Sequence, residues 1–344
     1  MRLKIDLHRY ALRPKMRLGA LHSSPETHTH ENFHRQGALL RIQFEDQGTG
    51  YADCFPWPEL GDLDLDHQLE CLKNSELTPL LQRSLQYAKQ DAEARTQKRS
   101  LFEGLKIPPS HALISSIQGL TEEALAQKSR EGFSLIKLKC GMDVIEEATQ
   151  LQRLTPLLRS LKLKLRLDFN HSLNQADHLK SFLDSLGEGL ERIDFIEDPF
   201  PFSAESWSSL QREYRVRLAL DRLPSPQALG PDVAQAISVL IIKPATQDWR
   251  SLLEVVRFLG VSTVFTSYLD HPLGQLSAAW AAAQAALTPG IAVETCGLLS
   301  HTAYESHPAS DALRSSGPFL HSPEGTGLGL DNLLESYSWS PFQR

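Results

Sequence analysis

Apolar and polar positions follow two regimes along the chain. Up to about residue 60 they alternate in the rhythm of half-buried strands, over Met1–Tyr10, Ala38–Phe44 and Tyr51–Phe55. The turn Gln47-Gly48-Thr49-Gly50 between the last two predicts a hairpin. Residues 16–36 are polar and His-rich and predict a long mobile loop. From Asp64 to Lys98 the rhythm turns helical, with Leu77, Leu80, Leu81, Leu85 and Ala88 on one face. Strands followed by helices predict an α+β domain over residues 1–98.

After Pro108-Pro109 short apolar runs alternate with amphipathic segments. The runs are His111–Ser115, Ser134–Cys140, Leu163–Asn170, Ile193–Pro199, Val216–Asp221, Val239–Pro244, Thr263–Ser267 and Ile291–Thr295. Helical patterns lie between them at Asp143–Leu161, Gln175–Leu186, Asp248–Gly260 and Leu276–Leu287. Eight strands with helices between most of them predict a parallel barrel over residues 99–310, although the pattern alone also admits an open sheet. The Gly-, Ser- and Pro-rich tail, 311–344, with its Leu-rich stretch Leu328–Leu334, is expected to pack back on the first domain.

Composition narrows the function classes. A formal net charge of −7 argues against a nucleic-acid partner. Hydrophobic residues at 41% against 22% charged supply a full core and exclude wholesale disorder. Cys54, Cys71, Cys140 and Cys296 are too dispersed for a disulfide framework or a zinc finger. The first residues lack the apolar core of a signal peptide, and the most membrane-like stretch, Leu276–Leu287, is too short to span a bilayer. A cytoplasmic protein that does not engage membranes is expected; nothing in the pattern sets an oligomeric state.

Buried barrel strands should read as continuous apolar runs. Here five successive runs carry charges at or near their C-terminal ends: Lys137 and Lys139, Asp168, Glu197, Asp221 and Lys243. From Lys139 onward these lie 29, 29, 24 and 22 residues apart, about one strand–helix unit each. They therefore recur at one height, on the rim where barrel active sites are built. The period of two puts Lys137 and Lys139 on one strand face, and Asp168 with Asn170 on another. For any single residue a solvated edge or a surface ion pair is the simpler explanation; five consecutive strands favour a site. Three converging carboxylates cannot all ionise without a cation, and oxygen-only ligands suit a hard ion such as Mg²⁺, with Mn²⁺ as a substitute.

The motifs Lys137-Leu-Lys139, Asp168-Phe-Asn170, Glu197-Asp198-Pro199, Leu220-Asp221 and Ile242-Lys243-Pro244 resemble those of the enolase superfamily, in its muconate-lactonising subgroup, and most of all its o-succinylbenzoate synthase family. The resemblance spans nearly the whole chain. It implies an α+β capping domain completed by the tail, and a (β/α)7β barrel. It also implies Mg²⁺ held by Asp168, Glu197 and Asp221, with Asn170 and Asp198 in support. The implied base is Lys139, with Lys137 as its neighbour and Lys243 on the opposite face. The implied partner is a small-molecule carboxylate that loses its α proton, a family chemistry of lysine bases and Mg²⁺. In the o-succinylbenzoate synthase family the step is a syn dehydration of 2-succinyl-6-hydroxy-2,4-cyclohexadiene-1-carboxylate, in menaquinone biosynthesis. The same residues would serve an N-acylamino acid racemase or dipeptide epimerase, with Lys243 as a second base. A barrel without catalysis, used for binding, is a third reading, disfavoured by retention of all five charged positions.

By resemblance Thr266 and Ser267 offer hydroxyls to a substrate carboxylate; strand-end hydroxyls satisfying backbone groups are an equal reading. Gly297 permits close substrate approach or forms a plain turn. Phe55 and Trp57 belong to a cap loop that in the family touches substrate; a cap-to-barrel contact is the alternative. His22, His28, His30 and His34 mark a solvated lid loop better than a zinc site. Family members often follow the third carboxylate with an acidic residue; here it is Arg222.

Overall fold

The structure is a computed structural model and describes residues 4–15, 34–221 and 231–342. The His-rich stretch at 16–33 and Arg222 lie outside the described residues.

The first domain is an antiparallel sheet of β1 (Lys4–Leu12), β2 (Arg35–Phe44) and β3 (Gly48–Cys54), followed by α1 (Leu65–Lys73) and α2 (Pro79–Thr96). The hairpin turn is tighter than the sequence suggests. Phe44 pairs with Gly48, so Gly48 to Gly50 belong to β3 rather than to the turn. Gly50 permits α2 to lie directly on β3, since a Cβ there would sit 1.8 Å from the Ala88 carbonyl oxygen. Leu77 does not join the helical face; it is exposed, one residue before the Thr78 N-cap, whose side chain accepts from the Leu81 amide.

The barrel strands are β4 (Ala112–Ile114), β5 (Leu135–Lys139), β6 (Lys164–Asp168), β7 (Ile193–Glu197), β8 (Leu218–Leu220), β9 (Val239–Ile242) and β10 (Ser262–Phe265), parallel and in sequential order. Between successive strands run α3 (Glu122–Arg130), α4 (Val144–Ser160), α5 (Ala176–Leu186), α6 (Ala204–Tyr214), α7 (Pro231–Ala236) and α8 (Trp249–Leu259). The predicted eighth strand is not a regular ladder. Residues 292–297 close the barrel through alternate bonds: Thr263 N donates to Ala292 O, Gly297 N to Phe265 O, and His111 N to Cys296 O.

The apolar segment at 276–287 belongs to α9 (Pro272–Ala286), nearly every residue of which is buried. It packs on β3 of the cap and β10 of the barrel, and its alanines allow that approach on both sides. After α10 (Pro308–Ala312) and the small hairpin β11 (Ser315–Ser316) and β12 (Phe319–Leu320), the tail returns to the cap. α11 (Asp331–Ser336) leads into β13 (Ser340–Phe342), which adds to the sheet edge beside β1. Arg95 fastens the junction through Asp91 at 2.6 Å and Asp331 at 2.6 Å. Buried Asp91 also accepts from the Leu328 and Tyr51 amides.

Inside the barrel, Phe195, Ala219, Val239, Ile241 and Val264 form an apolar plug separate from the main core. Four of them sit two residues below Glu197, Asp221, Lys243 and Thr266, so strand alternation places those four on the same inward face, one layer higher.

Candidate active site

A cavity of about 380 Å³ opens at the C-terminal ends of the barrel strands. It is lined by Lys137, Lys139, Asp168, Asn170, Glu197, Asp221, Lys243, Thr266, Ser267, Gly297 and Trp57, among others. The strand alternation read from Lys137-Leu-Lys139 is realised: Ile136 and Leu138 are fully buried behind the sheet, and both lysines face the cavity. Asp168 and Glu197 are direct neighbours in the β6–β7 register.

Asp168, Glu197 and Asp221 are 3%, 2% and 5% exposed, so their charges are compensated inside the protein or not at all. Lys137 Nζ lies 3.0 Å from Asp168 and 2.7 Å from Glu197. Lys243 is ion-paired with Asp221. Lys139 Nζ donates to Asn170 Oδ1 at 3.1 Å. Asn170 takes a left-handed backbone (φ 46°), a conformation that asparagine tolerates, and its amide donates to Asp168. Asp198 points away from the cavity and is fully buried; its Oδ1 accepts from the Asp221 amide at 3.0 Å, fixing the end of β8.

The electrostatics divide the groups. Burial opposes the charge on Lys137, but Asp168, Glu197 and Asp221 outweigh it and hold the ammonium on. Burial lowers the Lys139 pKa, and the charges of Lys137 and Lys243 reinforce it against the pull of Asp168. Burial opposes ionisation of Asp168, but the lysines keep its carboxyl below the usual range. Burial, then the Asp168 charge, push Glu197 up to about 8.

This bears on a metal. Among the described residues no group of three or more His, Cys, Asp or Glu side chains is gathered to hold an ion; lysine ammonium groups sit on the three carboxylates instead. The donor set nevertheless fits a hard divalent cation. It is all oxygen, it is buried on three adjacent strand ends, and the Lys137 ammonium already stands in as a cation between two of its members.

Thr266 Oγ1 is buried without a hydrogen-bond partner, and Ser267 Oγ donates to Gly297 O at 3.3 Å. Gly297 is no turn glycine. It bridges to Thr266 in the barrel wall, and a Cβ there would lie 3.0 Å from both the His111 ring and the Thr266 methyl. Trp57 lines the cavity and is also a cap-to-barrel contact: its indole donates to Tyr268 O at 2.7 Å, and the Arg35 guanidinium lies 3.3 Å from its ring centroid. Phe55 does not reach the cavity; it packs between Tyr10 and Trp57. Loop residues lack strand parity, so the sequence could not separate these two aromatics.

Two inward residues escaped the sequence reading, His111 and Arg166. His111 lines the cavity, and its Nδ1 lies 3.2 Å from Arg166 Nη1. Burial, then the charges of Arg166 and Lys137, depress its pKa well below the ordinary value. The signal was parity: Arg166 shares its face with Asp168, and His111 with Leu113, which pairs with Lys137.

A barrel with this charged rim and a sheet-and-helix cap defines a class, the enolase-type barrel enzymes. Residues 119–335 match the family model described as enolase C-terminal domain-like. Residues 5–94 match the one described as O-succinylbenzoate synthase, N-terminal domain. An o-succinylbenzoate synthase from Bdellovibrio bacteriovorus is 30% identical over 338 residues, covering 98% of each chain. The chain belongs to the enolase superfamily, in its o-succinylbenzoate synthase family. Solved structures share the fold at lower identity. The L-Ala-D/L-Glu epimerase from Bacillus subtilis, in a substrate-liganded complex, aligns with TM-score 0.76 at 16% identity over 94% of this chain and 97% of that one. A dipeptide epimerase from Enterococcus faecalis, complexed with Mg and L-Leu-L-Tyr, aligns with TM-score 0.72 at 15% identity over 96% and 99%. Among the described residues no helix is long and apolar enough to cross a membrane.

Proposed function

We propose that this enzyme is a dehydratase that converts 2-succinyl-6-hydroxy-2,4-cyclohexadiene-1-carboxylate to o-succinylbenzoate, as the family would do in menaquinone biosynthesis. The observation that carries the reading is the placement of Lys139. It is a buried lysine with a lowered pKa, hydrogen-bonded to Asn170, in a cavity shared with three carboxylates. A lysine acts as a base near neutral pH only when its ammonium form is disfavoured in this way. The matched N-terminal family model and the Bdellovibrio relative support the choice of substrate.

Asp168, Glu197 and Asp221 would hold Mg²⁺, with Asp198 anchoring the Asp221 backbone. Bound there, the ion supplies positive charge against the negative charge that develops on the substrate carboxylate. Lys139 takes the proton from the carbon bearing that carboxylate. The resulting ammonium then gives the proton to the departing hydroxyl on the same ring face, so water leaves, the ring becomes aromatic and the free amine is regenerated. Lys243 offers a fixed positive charge on the other side of the cavity. In the racemase or epimerase reading Lys243, which is ion-paired with Asp221, would instead be a second base.

The test is a direct assay of the purified protein on the cyclohexadiene substrate beside a panel of N-acylamino acids and dipeptides. Aromatic product formation is expected. Racemisation of the panel without dehydration would reverse the order of the two readings.

A further inference from the structure

The cavity wall is divided by charge around the barrel. Three consecutive strands, β6 to β8, bring the carboxylates of the strand ends, and the flanking β5 and β9 bring their lysines; Lys128 and Glu131 line the cavity from the α3 side. The three remaining staves bring neutral groups: His111 just before β4, Thr266 just after β10, and Gly297 in the closing segment between them. Ser267 is committed to the Gly297 carbonyl, whereas the Thr266 hydroxyl has no partner.

The tautomer of His111 is settled by its neighbour. A guanidinium only donates, so the contact from Arg166 Nη1 makes His111 Nδ1 an acceptor and leaves the proton on Nε2. Gly297 opens the way to that N–H, because any Cβ at 297 would stand 3.0 Å from Nε2. Behind the ring lies the Arg166 guanidinium, itself paired with Asp194 and Glu294, and the Lys128–Glu131 ion pair lines the cavity beyond β4.

We infer that His111 is a substrate-binding residue: its Nε2–H, presented through the gap at Gly297, donates to the distal carboxylate of the substrate's succinyl chain, beside the Thr266 hydroxyl. The inference deepens the proposed function and rests on it. A substrate with two carboxylates sets one against the β6–β8 side. The other then faces the neutral donors of His111 and Thr266 on the opposite wall.

Calorimetric titration with o-succinylbenzoate and with benzoate, both in Mg²⁺, tests this, since benzoate lacks the succinyl chain. His111→Phe is expected to weaken o-succinylbenzoate binding about 5- to 10-fold, one hydrogen bond's worth, and to leave benzoate within about twofold. Gly297→Ala, which sets a methyl against His111 Nε2 while leaving the His111 and Arg166 side chains unchanged, is expected to reproduce the selective loss. His111→Gln, which restores an N–H donor, should recover most of it. Equal losses for both ligands, or none in His111→Phe, would overturn the assignment and leave His111 a packing residue. Wild-type protein that dehydrates the cyclohexadiene while His111→Phe binds product normally sinks this inference alone. Wild-type protein that neither turns over substrate nor binds product sinks the functional reading along with it.

Discussion

The barrel interior holds two charged layers, and they are built from different cations. The upper layer sets Lys137, Lys139 and Lys243 among Asp168, Glu197 and Asp221. The lower layer, below the strand ends, sets Arg166 and Arg217 among Asp194 and Glu294. Arg166 reaches Asp194 at 2.8 Å and Glu294 at 3.4 Å, and Arg217 also pairs with Glu294. Their glutamates move in opposite directions. Burial and Asp168 push Glu197 up to about 8, whereas Glu294 stays below its ordinary range because the guanidinium groups and Ser262 outweigh its burial. Guanidinium groups never give up their proton and grip carboxylates with a planar fork; ammonium groups are point charges whose protons can be moved. The lower layer therefore pairs its carboxylates with fixed cations, whereas the upper layer pairs its carboxylates with ammonium groups whose protons can move.

The comparison is tested most severely at Lys139. Lys139→Ala is expected to lower kcat by roughly 10⁴-fold with the melting temperature nearly unchanged. Substantial remaining turnover would remove the assigned base. Metal removal comes next: a chelator should take activity to background, and Mg²⁺ or Mn²⁺ should restore it, as read by the dehydration assay. Turnover indifferent to metal would mean the lysines alone satisfy the upper carboxylates. In the lower layer Arg166→Met should cost about 3 kcal/mol in denaturant unfolding, because it leaves the largely buried Asp194 without its closest cation. A stable Arg166→Met protein would erase the distinction between the layers. The smallest effect belongs to Glu294→Gln, about 2 kcal/mol at neutral pH. A carboxylate whose folded pKa is depressed adds stability above its unfolded value, and that contribution is lost as pH falls through the folded one. The deficit of Glu294→Gln against wild type should therefore shrink as thermal melts are taken from about pH 6 to about pH 3. A deficit constant over that range would show that the side chain acts by shape, not charge.

Legibility from sequence followed local geometry. Lys137 and Lys139 could be placed together because a strand's period of two puts them on one face whatever surrounds it. The recurrence of one charge per strand–helix unit put Asp168, Glu197, Asp221 and Lys243 at one height for the same reason. Arg166 obeyed the same parity but sat mid-strand, among residues read as apolar run. Asp194 was hidden by the register shift between β6 and β7, which breaks strict pairing there. The final strand read well as an apolar run, yet it closes the barrel by alternate bonds only.

By itself the chain determined what short-range rules determine: strand and helix order, the inward face of each strand, and hence which charges share the barrel mouth. Tertiary packing decided the rest. It chose Trp57 over Phe55 as the cavity wall, oriented the His111 tautomer through Arg166, and set lysines on the carboxylates. The physical reason is range. Periodicity is a property of neighbours along the backbone, whereas hydrogen-bond partners, burial and pKa arise between residues that only folding brings together.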